Sequence, residues 1–258
     1  MLPRERIVAA LRAGAHAGEP ALVAFLTAGY PSRERFRADL AAVAEGADVV
    51  EIGVPFTDPM ADGMTIQRSS HAALQQGVTL QWIFDELTAM PRLHTPLLLM
   101  SYLNPLLSYG YERLAAASVA AGVCGFIIPD LPIDESGALR AALDPQGLAL
   151  VQMVTPVTPP ERLARLCAAS QGFIYAVTMT GTTGKNVATP ADVLDYLSRV
   201  RAVAKVPVCA GFGIRTREQV ERLRGAVDGV VVGSALVEVL ERGESPQVWL
   251  AALRPAAR

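Results

Sequence analysis

Eight short apolar runs rich in β-branched residues, stretches of helical spacing that alternate with them, and the lack of any linker long enough to separate domains predict one closed parallel barrel for this chain of 258 residues. The expected class is α/β, a single (β/α)8 or TIM barrel over residues 1–258, with an extra N-terminal helix at 4–13 as the only segment outside the eightfold pattern. Strands are expected at 21–27, 48–54, 96–102, 125–130, 148–154, 173–177, 206–211 and 229–232. Helices are expected at 33–45, 80–90, 111–121, 135–143, 160–169, 191–204, 217–224 and 235–241. Unbroken alternation of this kind requires parallel strands and right-handed crossovers. An open doubly wound sheet is the alternative; the number of units within this length favours closure.

Composition narrows the function. Apolar residues make up 51% and charged residues 19% of the chain, which supports a sizeable core and argues against disorder. A net charge of -2 without a Lys/Arg block gives no field to hold a nucleic acid backbone. Arg4, Glu5 and Arg6 stand where a secretory signal would turn apolar, and the longest uncharged stretches are broken by Gly, Pro or Asp well short of the ~18 residues of a spanning helix, so a cytoplasmic protein without a membrane partner is expected. Cys124, Cys167 and Cys209 are odd in number, far apart and set among apolar neighbours, which suits core packing better than a disulfide or zinc. His16, His71 and His94 show no metal spacing, and no metal is expected.

In a barrel of this class the reactive groups lie at the carboxyl ends of the strands. In the second strand, period-two alternation turns Val50, Ile52 and Val54 toward the helices and Val49, Glu51 and Gly53 inward. A carboxyl group at Glu51 would then meet a dry interior, which raises its pKa toward a range useful for proton transfer; a glutamate hydrogen-bonded within the core is the competing reading. The loop that follows carries Asp58 and Asp62, and Asp62 can fold back over the strand end to face the same ligand. Asp-Pro and Asp-Gly are also ordinary turn formers, so that loop alone does not decide the matter. Late in the chain, glycine-bearing loops at 180–184, 211–213 and 233–234 follow successive strands, where backbone N–H groups and a helix terminus can hold a phosphate. Tight turns would explain any one of them; three in succession point to a phosphorylated substrate. The Gly211-Phe212-Gly213 run lacks the third glycine of a dinucleotide fingerprint, Thr216 standing in its place.

The run Glu51-Ile-Gly-Val-Pro-Phe-Thr-Asp58-Pro-Met-Ala-Asp62-Gly-Met-Thr-Ile-Gln67 closely resembles the signature of the tryptophan synthase alpha chain family. The resemblance continues in order at 25–31, 100–105, 128–132, Tyr175, Thr183, Gly184, 211–214 and 233–235, so it covers essentially the whole chain. It implies cleavage of indoleglycerol phosphate to indole and glyceraldehyde 3-phosphate, with Glu51 as acid and base and Asp62 holding the indole N–H. By the same resemblance, Tyr175 lies near Glu51, Thr183 bonds Asp62, and Phe25, Met100, Tyr102 and Met153 line the indole slot. Gly184, Phe212, Gly213, Gly233 and Ser234 would hold the phosphate. The resemblance further implies a beta chain joined in an α2β2 complex, with Asp58, Asn104 and Pro132 facing it, and pyridoxal phosphate in that partner, this chain needing no cofactor. Met64, where proline is common, and Thr182, where an aliphatic residue is usual, depart from the pattern and bear on closure of the sixth loop. Two rivals remain: another phosphate-binding barrel isomerase, and a barrel kept only to regulate a beta chain.

Overall fold

A computed structural model describes residues 1–15, 19–178, 190–211 and 213–254. Eight parallel strands close into a barrel in sequence order: β1 (Ala21–Thr27), β2 (Val49–Gly53), β3 (Leu97–Met100), β4 (Val123–Ile127), β5 (Ala149–Val154), β6 (Ile174–Val177), β7 (Val208–Gly211) and β8 (Gly229–Val232), with β8 pairing back onto β1. Around them, with short 3-10 turns before and after α7, lie α1 (Pro3–Gly14), α2 (Phe36–Gly46), α3 (Met64–Gln75), α4 (Leu80–Ala89), α5 (Leu103–Tyr109), α6 (Tyr111–Ala121), α7 (Gly137–Leu143), α8 (Pro160–Ala169), α9 (Pro190–Val203), α10 (Arg217–Arg222), α11 (Ser234–Glu241) and α12 (Pro246–Leu253).

Strand alternation divides the apolar residues into two cores. Val50, Ile52 and Val54 join the layer between sheet and helices, while Val49, Leu98, Cys124, Phe173, Tyr175 and Cys209 fill the barrel. Helix α1 belongs to the second group: Ile7 and Leu11 are fully buried against those interior residues and plug the amino-terminal end of the barrel. All three cysteines are free and buried, as packing residues should be. No helix among the described residues is long and apolar enough to cross a membrane.

Two expectations need correction. Strand β4 runs over Val123–Ile127 and not 125–130, because Gly125 serves inside the strand: a Cβ there would lie 2.5 Å from Ala149. Asp130 instead sits in the following loop, where its carboxylate accepts the Leu103 N–H at 2.9 Å. The opening helix is also not the only element outside the eightfold alternation, since α3, α5 and α12 are added to it. Helix α3 hides from a periodicity reading because Ser69 and Ser70 sit on its buried face, their hydroxyls bonded to Thr27 and to the backbone of Phe56. Helix α5 carries Pro105 in its first turn, where the missing N–H would have no helical partner anyway.

Candidate active site

Glu51 lies on β2 between Phe25 of β1 and Leu98 of β3 in the barrel register. Its side chain is fully buried, and among the described residues neither carboxylate oxygen has a hydrogen-bond partner. Loss of water disfavours the charged form, and burial pushes the Glu51 carboxyl up to about 8. At neutral pH this residue is therefore an acid with a proton to give. Tyr175, on β6, shares the interior; burial and the nearby carboxyl groups of Glu51 and Asp62 raise its hydroxyl well above the ordinary value, so it stays protonated.

Two glycines make room for the aromatic rings that flank Glu51. A Cβ on Gly53 would stand 2.4 Å from the Phe25 ring, and one on Gly211 would stand 2.5 Å from the Tyr175 hydroxyl. Gly211, read from sequence as belonging to a phosphate loop, thus has a steric duty inside the barrel.

Asp62 is placed by the loop between β2 and α3. Its backbone N–H bonds the Pro59 carbonyl at 3.0 Å, Gln67 donates to its carbonyl at 2.8 Å, and α3 is anchored below by the Thr27–Ser69 hydroxyl contact of 2.7 Å. The Tyr102 hydroxyl donates to the Asp62 carboxylate at 2.9 Å and accepts the Ala61 N–H at 2.8 Å. Burial raises the Asp62 pKa, and the bond from Tyr102 opposes that rise. Tyr102 in turn stacks on Phe56, with ring centroids 5.0 Å apart.

Both carboxyl groups line one cleft of about 270 Å³ at the carboxyl ends of the strands. Phe25, Met100 and Tyr175 form walls of this cleft, and Gly213, Gly233 and Ser234 border it as well. Tyr102 lies in an adjoining small hollow with Phe25, Met100 and Asp62. Gly213 adopts a φ of 75°, and Ser234 opens α11, whose first helical bond in from the end is Val237 N–H to Gly233 carbonyl. The N–H groups of the preceding first-turn residues are thereby left for an anion. Thr183, Gly184 and Phe212, as well as the departure at Thr182, lie outside the described residues.

Met153 stands apart from this group. It is half-buried on β5, packs against the barrel interior, and borders a separate hollow with Pro132 and Arg162. Asp58 and Pro132 are exposed on the loops after β2 and β4, and Asn104 is exposed in the first turn of α5, which follows β3. The expectation from sequence passed over Arg215, which lines the cleft two residues beyond Gly213; a cation so close to a glycine loop was the available signal. Among the described residues no cluster of His, Cys, Asp or Glu is placed to hold a metal ion. A larger hollow of about 390 Å³ lies near α1, lined by Arg6, Arg92 and His94. Among the described residues no carboxyl group lines it, and both guanidiniums are already bonded to backbone carbonyls.

A parallel barrel with a neutral, buried carboxylic acid and a second carboxylate across one cleft belongs to the class of barrel enzymes that work by acid–base chemistry at the strand ends. Residues 11–255 match the family described as tryptophan synthase alpha chain. The tryptophan synthase alpha chain of Nitratidesulfovibrio vulgaris is 46% identical over 240 residues, covering 92% of this chain and 93% of its relative. A crystal structure of tryptophan synthase from M. tuberculosis in an aminoacrylate-bound form superposes with a TM-score of 0.86 at 34% identity, over 96% of this chain and 97% of that one. The tryptophan synthase alpha subunit of Legionella pneumophila gives a TM-score of 0.86 at 28% identity, over 98% and 97%. The chain belongs to the tryptophan synthase alpha chain family, the lyase subunit of tryptophan biosynthesis.

Proposed function

We propose that this chain cleaves 1-C-(indol-3-yl)glycerol 3-phosphate to indole and D-glyceraldehyde 3-phosphate by a retro-aldol reaction, with Glu51 moving the proton and Asp62 holding the indole N–H. The observation that carries this reading is a fully buried carboxyl group with no hydrogen-bond partner among the described residues, opening on the cleft that Asp62 also lines. Transfer of the Glu51 proton to indole C3 leaves positive charge on the ring nitrogen, which the Asp62 carboxylate stabilises. The bond from C3 to the glycerol carbon then breaks. Its electron pair returns to the ring, the hydroxyl-bearing carbon becomes an aldehyde, and the hydroxyl proton passes to the Glu51 carboxylate, restoring the acid. Phe25, Met100, Tyr102 and, by family likeness, Met153 are assigned to the indole, with Tyr175 beside Glu51 and Thr183 on Asp62. Gly184, Phe212, Gly213, Gly233 and Ser234 are assigned to the phosphate.

The reading extends to a beta chain in an α2β2 complex, which would carry pyridoxal phosphate, while this chain works in the cytoplasm as one barrel domain without a cofactor of its own. Exposed apolar side chains at Met60 and Met64 lie close in sequence to Asp58, and exposed Leu107 shares α5 with Asn104, which suits a protein partner on the segments that follow β2 and β3. An isomerase would need no second carboxylate beside an apolar slot, and a purely regulatory barrel would need no buried acid. Incubating the purified chain with indoleglycerol phosphate, with and without a beta chain, should release indole in both cases; no indole in either overturns the reading.

A further inference from the structure

Arg215 is the one cation among the described residues that line the cleft. We propose that Arg215 is a binding residue for the phosphate dianion of the substrate, and that Glu238 limits its pull by sharing the guanidinium. The inference rests on the lyase reading above and deepens it.

Glu238 lies one turn beyond Ser234 on α11, so its side chain rises from the same face of the helix whose first turn borders the cleft. Its carboxylate takes two hydrogen bonds from Arg215, at 2.8 and 3.0 Å, and one from the Thr65 hydroxyl at 3.2 Å. The pair holds the Glu238 carboxyl below the ordinary range, so Glu238 is ionised at neutral pH. A dianion entering at Gly213, Gly233 and Ser234 would meet this charge together with that of Asp62. Arg215 offsets it: it sits between the glycine loop and α11, and its planar guanidinium has donors left after the two bonds to Glu238. Thr65 lies in the first turn of α3, three residues past Asp62, so the same carboxylate ties the phosphate end of the cleft to the segment that carries Asp62.

Opposite signs separate this role from simple structural pairing. Both Arg215→Gln and Glu238→Gln break the ion pair, but only the first removes the cation from the dianion; the second removes a repelling carboxylate and releases the cation. Glycerol 3-phosphate and inorganic phosphate are the probes, titrated calorimetrically into the full chain at low and high salt, alongside KM and kcat for indole release. Arg215→Gln should weaken binding of both probes about five- to tenfold, raise KM by a similar factor and leave kcat within about twofold, with a shallower salt dependence than the unmodified chain. Glu238→Gln should tighten binding about two- to threefold, and Arg215→Lys should fall between the unmodified chain and Arg215→Gln. Changes of the same sign in Arg215→Gln and Glu238→Gln, or unchanged affinity in either, overturn the proposal. An unmodified chain that binds the probes but releases no indole would instead sink the lyase reading, and the binding arm would still judge Arg215.

Discussion

Replacing Glu51 with Gln removes an ionisable group from the barrel interior while keeping its shape, and burial sets the size of the response. The carboxyl titrates near 8 in the folded chain against an ordinary value of 4.5. Between those values the unfolded chain has released a proton that the folded chain retains, so this group's contribution is fully present below 4.5 and is lost as pH rises toward 8. Each pH unit inside the window removes roughly 1.4 kcal/mol. The Gln variant does not titrate there, so its stability should gain on that of the unmodified chain by about 2–3 kcal/mol between pH 5 and pH 7. Paired urea denaturation at half-unit steps of pH reads this difference and cancels the contributions of every other titrating group. A difference that stays flat within about 0.5 kcal/mol across the window would refute the reasoning, because it would mean that Glu51 is hydrated or paired in the folded chain. The same variant should lose at least about 100-fold in indole release, the lower end of what general acid–base catalysis contributes.

Asp62→Asn should leave the unfolding transition within a few degrees of its original midpoint and reduce indole release about 100-fold, measured by single-turnover kinetics; near-normal rates would remove Asp62 from the mechanism. With Asp62 acting as an anion in the proposed mechanism and burial raising its pKa, kcat/KM should fall as pH drops through that raised value. Tyr102→Phe removes the bond that opposes the rise, so this acid limb should move to higher pH; an unmoved limb would show that Tyr102 does not tune Asp62. Gly211→Ala forces the Tyr175 ring aside and should cost about 1–3 kcal/mol of stability by denaturant midpoint, with reduced indole release. Full stability in that variant would mean that the ring can give way freely.

The barrel was legible because each strand repeats the same contrast of apolar run and helical stretch, so β1, β8, α6 and α8 fall where the pattern places them. Glu51 was legible for the same reason: alternation in a five-residue strand fixes which face a side chain takes. Arrangements that depend on tertiary contact were not. The buried serines of α3 look like surface residues until Thr27 and Phe56 are placed against them. The bond from Tyr102 to Asp62 joins residues 40 positions apart and follows from loop closure, which no local pattern encodes. Arg215 shows in sequence only as a cation close to a glycine loop, and only the meeting of the loop after β7 with α11 puts Glu238 within its reach.

The two carboxyl groups of the cleft differ in their surroundings. Glu51 sits in the packed interior with no donor among the described residues to stabilise a charge, and so keeps its proton at neutral pH. Asp62 hangs from a loop at the rim, where the Tyr102 hydroxyl donates to it and supports the ionised form. The separation has a chemical consequence for a substrate that already brings a phosphate dianion. Were both groups ionised, the cleft would oppose that dianion with two charges and would have no proton to give C3; were both neutral, nothing would hold the charge that appears on the indole nitrogen. In the proposed mechanism one dry strand position and one tyrosine-braced loop position would resolve the conflict, burial holding the proton on Glu51 while the Tyr102 hydrogen bond opposes the rise at Asp62. Moving either support alone should therefore bring the two titrations closer together, narrowing the pH range over which the acid and the anion coexist.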